Sequence, residues 1–387
     1  MKLKLITPFF IVILLFSCKQ QYKVLQYDGI SKDLILSIES TNRSLFDSVK
    51  YIKLETTDDC LIGRISQILF TDSLLVVVDS ESANAVYVFD TLGKFRCKIG
   101  AVGQGPGEYV SLWHVTLKPD KQQIVIEDII QHKILYFNYS GKFEYSERTP
   151  FMLSRYEYLA NGYKAFDVSS MKDPAMGELQ ENTLIVTDEN NNVIYGACTD
   201  FYDSEKFTYV MHPALRKFGD KLYYSPNYSN EIYEITDTAA ILKYTLNIPN
   251  GMPPLYKGIT GDIFHDYEQK YNIFDGDYIE LEDFTCITLM HGVKSPLVIY
   301  SHAKEESYLW DFPHLLFLNE VPIARYKDNW LVFERSAFDI MDRKQLLYEL
   351  AKETPEIKQT LDEIYDGLTD ESNPVIFFYH LNPNKFE

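Results

Sequence analysis

The residues of this 387-residue chain that could do chemistry are few and scattered. The densest motif is Ile99–Tyr109, IGAVGQGPGEY, which sets Gly103, Gly105, Pro106 and Gly107 close together. A phosphate-binding loop would end in Lys-Ser/Thr and open a helix, and this one does neither. Two readings stay open. One is a tight turn that needs positive φ and close packing. The other is a rim loop that presents Gln104, Glu108 and Tyr109 to a ligand. The eight histidines contain no HxH, HxxxH or HExxH spacing. His114, His212 and His291 could form a metal site only if distant segments brought them together with carboxylates. No GxSxG occurs, and the pairs Asp58-Asp59, Glu282-Asp283 and Glu305-Glu306 would point apart on a strand, as solvated turns do. No catalytic residue, metal-ligand set or cofactor motif is assigned.

Aromatic and cationic residues offer a softer signal. The chain has 29 tyrosines, and Trp113, Trp310 and Trp330 add to them. Most will serve a core, but some could form a platform for sugar rings or peptides. The candidates at the starts of inner strands are Trp113, His114, Arg155, His212, Arg216 and Arg325.

The elements that would position these residues repeat. LLVVVDSESANAVYVFDTLGKF (Leu74–Phe95) and QIVIEDIIQHKILYFNYSGKF (Gln123–Phe143) share one plan. Each is a β-branched strand ending in a carboxylate, a short turn, a second apolar strand, and a polar turn closing on Gly-Lys-Phe. That last turn recurs at Asp90, Asn138, Asp188 and Asp237, with intervals of 48, 50 and 49 residues. A unit of this length holding several antiparallel strands is a propeller blade. The chain from about 51 to 382, less a helical stretch at 338–372, accommodates six blades. The β pattern also breaks at 253–277, where a short helix or long loop is expected. In 338–372 the period changes from 2 to 3.6. There Leu346, Leu347 and Leu350 form one apolar face, and Ile357, Leu361, Ile364, Tyr365 and Leu368 form another, so both helices should pack on the propeller body. The isolated strand PVIFFYHL (Pro374–Leu381) arrives too late to start a blade, as expected if the ring closes with strands from both chain ends. The fold class is thus all-β, a six-bladed β-propeller in a single domain, 49–387.

The N-terminus speaks to location. Lys2 and Lys4 precede an apolar run, Leu5–Phe16, which is too short to span a bilayer and suits a signal peptide, 1–17. Leu15-Phe16-Ser17-Cys18 resembles the lipobox of bacterial lipoproteins, which implies cleavage before Cys18 and its lipidation; a tether over 18–48 should follow, leading into an edge strand at Leu34–Ser40. Loss of Lys2 and Lys4 takes the net charge from −19 to −21. So acidic a surface, with no basic stripe, excludes nucleic acid as the expected partner. Cys60, Cys97, Cys198 and Cys286 show no metal spacing and are expected mostly as free thiols.

GxGPGEY after a first D…FDxxGK blade, together with KYIKLETTDDCLIGRI (Lys50–Ile65) and DESNPVIFFYHL, is similar to the six-bladed, distantly NHL-like propeller lipoproteins of Bacteroidetes. The resemblance implies fold and envelope location but no catalytic residues. Members displayed on the cell surface often carry an acidic run after the lipidated Cys. Lys19-Gln20-Gln21 lacks one, so the resemblance implies an outer-membrane anchor facing the periplasm. The expected function is a non-catalytic binding or scaffold lipoprotein for a peptide, a glycan or an envelope protein. The alternative is a propeller enzyme, a lyase or hydrolase, with a divalent metal in its channel.

Overall fold

The computed structural model describes residues 23–24, 31–38, 45–149, 151, 155–168, 174–199, 214–254, 259–310, 321–352 and 355–385. Six antiparallel sheets follow one another around a ring. Blade one runs from Gln67 to Ile99, blade two from His114 to Arg148, and blade three from Tyr156 to Thr199. Blade four runs from Leu215 to Asn247 and blade five from Tyr278 to Trp310. Blade six takes three strands, Ala324–Arg325, Trp330–Arg335 and Val375–Leu381, from the C-terminal part of the chain. Its outermost strand is Phe46–Lys53, which pairs antiparallel with Val375–Leu381. The ring is therefore closed by both ends of the chain, three strands to one.

Why the strands read as unbroken apolar text follows from blade packing. Leu75 and Val77 face blade six, while Val76 and Val78 face blade two. Both faces of each blade are covered, so alternation moves residues between two dry interfaces rather than between core and solvent. Six hydrophobic clusters fill the six gaps between neighbouring blades. Residue pattern thus passes directly into ring assembly.

Turn chemistry carries the repeat. The side chains of Asp90, Asn138 and Asp188 each accept backbone N–H bonds from the residues two and four positions on. In blade four the residue doing this work is Thr236, which accepts from Thr238 and Ala239. Asp237, expected in that role, lies one position on and accepts from Asn161 instead.

The two faces of the ring differ. The eleven turns on one face hold two to five residues each. On the other face lie the blade-to-blade connections, the Gly103–Gly107 loop, the helix Gly261–Lys270 and the helical insertion of blade six. These are the turn face and the loop face. The insertion forms three helices, Ala337–Asp342, Lys344–Leu350 and Pro355–Tyr365, where two were expected. Ile340, Leu347, Leu361, Ile364, Tyr365 and Leu368 pack into the core between blades five and six. Leu346 and Leu350 remain exposed, because the short middle helix turns only Leu347 inward.

The N-terminal segment is more than a tether. Lys23–Val24 adds a parallel fifth strand to the outer edge of blade three, and Lys32–Ile35 does the same on blade four. Ser37 then donates its N–H to Ser307 of blade five. Since the outer strand Val193–Thr199 runs from turn face to loop face, Lys23 enters from the turn-face side. The four cysteines among the described residues, Cys60, Cys97, Cys198 and Cys286, are free thiols. Burial raises the Cys60 thiol to about 12 and holds the other three above their ordinary value.

Candidate functional site

The innermost strands of successive blades are joined by polar contacts. Gln67 donates to the Val115 carbonyl at 3.0 Å, from blade one to blade two. Glu157 of blade three accepts from Thr116 at 2.5 Å and contacts His114 Nε2 at 3.2 Å. Lys217 of blade four donates to the Tyr158 carbonyl at 2.9 Å. Arg216 pairs with Asp277, before the inner strand of blade five, at 2.7 Å. Arg325 of blade six donates to the Glu280 carbonyl at 3.0 Å. The sixth junction is aromatic, Phe70 against Tyr326 with centroids 5.0 Å apart. Charge-assisted contacts of this kind hold the ring in register without covering all of its polar atoms.

Of the seven buried side-chain atoms without a partner among the described residues, Glu127 Oε2 and Arg216 Nε belong to strand ends at the loop-face mouth of the channel, where the inner strands start. Trp113 precedes the inner strand of blade two, and its N–H bonds the Glu127 carbonyl. Glu127 is 2% exposed, yet its Oε2 has no hydrogen-bond partner. Burial drives its carboxyl up to about 8, and the neighbouring Arg155 charge only partly opposes this. Arg155, at the start of blade three, lies over the Trp113 ring with 5.7 Å to the centroid. Its guanidinium makes no ion pair among the described residues. Burial lowers its pKa, with Asp167 and Glu127 pulling the other way and Arg216 adding to the fall. Arg216 spends one nitrogen on Asp277 while its buried Nε is unpartnered, and its guanidinium lies over the ring of Tyr278, 5.9 Å from the centroid. A buried polar atom without a partner costs about 1–3 kcal/mol.

The residues singled out in the sequence fall into three groups. Trp113, Arg155 and Arg216 come together at this mouth. His114 and Arg325 are engaged in the inter-blade contacts above, Arg325 toward the turn-face end of blade five. The Gly-rich loop stands apart. Tyr109 is fully buried and donates to the Asn84 carbonyl, while Glu108 folds back to accept from the Gly105 N–H at 2.7 Å. A Cβ at Gly103 would collide with that Glu108 carboxylate, which accounts for the glycine. The exposed Gln104 lines a pocket of about 330 Å³ against the outer strands of blade two, with Lys133, Phe143 and Tyr145, away from the channel. His212 lies outside the described residues. His291 is not at an inner-strand start: it sits in the loop between the second and third strands of blade five and contacts the Tyr271 carbonyl. Among the described residues no three His, Cys, Asp or Glu side chains converge as a metal site requires.

Glu127, Asp167 and Asp277 escaped the sequence reading. The one available signal was the carboxylate pair Glu127-Asp128 at a strand end. Asp128 caps its turn, accepting from Val110, Ile130 and Gln131, while Glu127 serves the mouth.

Comparison with known proteins follows this geometry. A domain of unknown function, DUF4934, matches residues 35–380. The chain belongs to the DUF4934 family. A putative exported protein of Bacteroides fragilis superposes with a TM-score of 0.75 at 21% identity, covering 91% of this chain and 100% of the other. A member of the DUF4221 family from Bacteroides vulgatus superposes with a TM-score of 0.55 at 8% identity, over 87% and 97% of the two chains. These likenesses show that this DUF4934 protein shares the six-bladed propeller with Bacteroides proteins. No curated protein matches the sequence.

Proposed function

We propose that this DUF4934 protein is an exported, lipid-anchored propeller that binds a ligand at the loop-face mouth of its channel and does no chemistry on it. One observation carries the reading: the buried, unpartnered Glu127 Oε2 and Arg216 Nε lie near the Arg155 guanidinium, which has no ion pair among the described residues, beside a partly exposed Trp113. Such groups are set in advance for hydrogen bonds with an occupant, and no nucleophile–base pair accompanies them among the described residues. The inter-blade contacts support the same view, since they fix the mouth rigidly and cut the ordering cost of binding.

Export and anchoring rest on the signal-like Leu5–Phe16 run and on Cys18, which lies outside the described residues. No helix among the described residues is long and apolar enough to cross a membrane. Cys18 precedes Lys23 by five residues, a reach of about 17 Å at full extension. With Lys23 entering from the turn-face side of blade three, an anchored propeller presents its mouth away from the membrane.

The test is a thermal-shift screen of the mature chain against sugars, sugar acids, peptides and divalent cations, paired with Arg155→Gln. A ligand of the folded state raises the melting temperature by mass action. The reading expects a shift that Arg155→Gln abolishes. A shift that the variant keeps in full would contradict it. Metabolic palmitate labelling of the wild type against Cys18→Ala tests the anchor separately, since only a lipidated Cys18 would carry the label.

A further inference from the structure

The mouth also constrains its ligand. Arg155 is a mostly enclosed cation with no anionic contact partner among the described residues, and burial rather than pairing dominates its titration. Arg216 offers a second, partly spent guanidinium from the next blade. One carboxylate-sized anion would satisfy both, whereas a polyanion would meet a chain of net charge −19. Arg155 occupies one side of the Trp113 ring, yet that residue keeps 43% of its surface exposed, enough for a flat C–H face to stack against it. Glu127 Oε2 remains to bond a hydroxyl group, donating or accepting as its protonation allows.

We infer that the mouth takes a sugar acid carrying a single carboxylate, of the hexuronate type. Arg155 and Arg216 hold the carboxylate, Trp113 packs on the ring face, and Glu127 bonds a ring hydroxyl. This rests on the binding reading above and adds the ligand class to it. Each element has a separate job. The guanidiniums distinguish the acid from the neutral sugar. The indole distinguishes a ring from a small carboxylate such as acetate.

Indole fluorescence of the intact mature chain tests it, titrated with glucuronate, galacturonate, glucose, acetate and N-acetyl-dialanine up to about 10 mM, where even a weak complex saturates. Both or either of the uronates should quench or shift the emission saturably, and glucose and acetate should not. Arg155→Gln should weaken uronate binding about 10- to 100-fold, the range expected for one charge-assisted contact. Trp113→Phe should retain binding, read by thermal shift, and lose most of the fluorescence response, which separates stacking from misfolding. Binding of glucose equal to that of glucuronate would overturn the assignment. So would a saturable response to the dipeptide alone, although that result would leave the binding reading standing. Silence from every compound in both this titration and the thermal-shift screen would overturn both.

Discussion

Glu127 makes the most demanding prediction. Its carboxyl is 2% exposed, and burial moves its pKa from 4.5 to about 8. Between those values the folded chain keeps a proton that the unfolded chain has released, so stability falls as pH rises and levels off above about 8. Each pH unit in that window removes about 1.4 kcal/mol, and the whole window is worth at most on the order of 5 kcal/mol. The neutral amide of Glu127→Gln has no such titration. Urea unfolding of wild type and Glu127→Gln at pH 5, 6, 7 and 8 isolates the term, because other groups cancel in the difference. The variant should gain on the wild type progressively across that range, ending a few kcal/mol ahead at pH 8. A difference that stays constant with pH would refute the reasoning. It would mean that Glu127 is ionised and satisfied in the folded state.

Four further outcomes are expected. Asn373 is buried, accepts from the Ile62 N–H and donates to the Glu55 and Cys60 carbonyls, so Asn373→Ala should cost about 3 kcal/mol in urea unfolding by leaving those groups unpaired. Phe46 packs edge-on to Trp310 and Tyr379 where the ring closes, and Phe46→Ala should cost about 3–5 kcal/mol. Gly93 has φ +82°, and a Cβ there would meet the Lys53 carbonyl, so Gly93→Ala should lower the melting temperature by several degrees, roughly 1–3 kcal/mol of strain. Dithiothreitol should leave the melting temperature of the mature chain unchanged, because Cys60, Cys97, Cys198 and Cys286 are free.

Much of the architecture could be read from residues because blades are local. The caps at Asp90, Asn138 and Asp188 act within four residues, so spacing alone exposes them. Blade four was misplaced by one position because Thr236 can cap as Asp does, and its hydroxyl lies beside the more conspicuous Asp237. Closure was legible in the stranded Val375–Leu381, but its partner Phe46–Lys53 is more than 300 residues away and has no local signature. The same distance hid most of the mouth. Arg155 and Arg216 stood out as cations at inner-strand starts, whereas Glu127, next to Asp128 at a strand end, carries no signal of its own. Its separation from Asp128 into a different role depends on blades two and three meeting, which no spacing encodes. In the 18–48 segment the edge strand expected at Leu34–Ser40 lies at Lys32–Ile35, and Lys23–Val24, two residues long, brings no hydrophobic period of its own.

The central claim is that the channel mouth, and no other surface, is the working site. The pocket beside Gln104 on blade two is the rival place for a small ligand. Thermal shift of three chains, wild type, Arg155→Gln and Gln104→Ala, against glucuronate, glucose and N-acetyl-dialanine compares the two surfaces directly. The account expects the glucuronate shift to vanish in Arg155→Gln and to persist undiminished in Gln104→Ala. Loss of the shift in Gln104→Ala, with Arg155→Gln behaving as wild type, would place the site on the side of blade two and contradict the account.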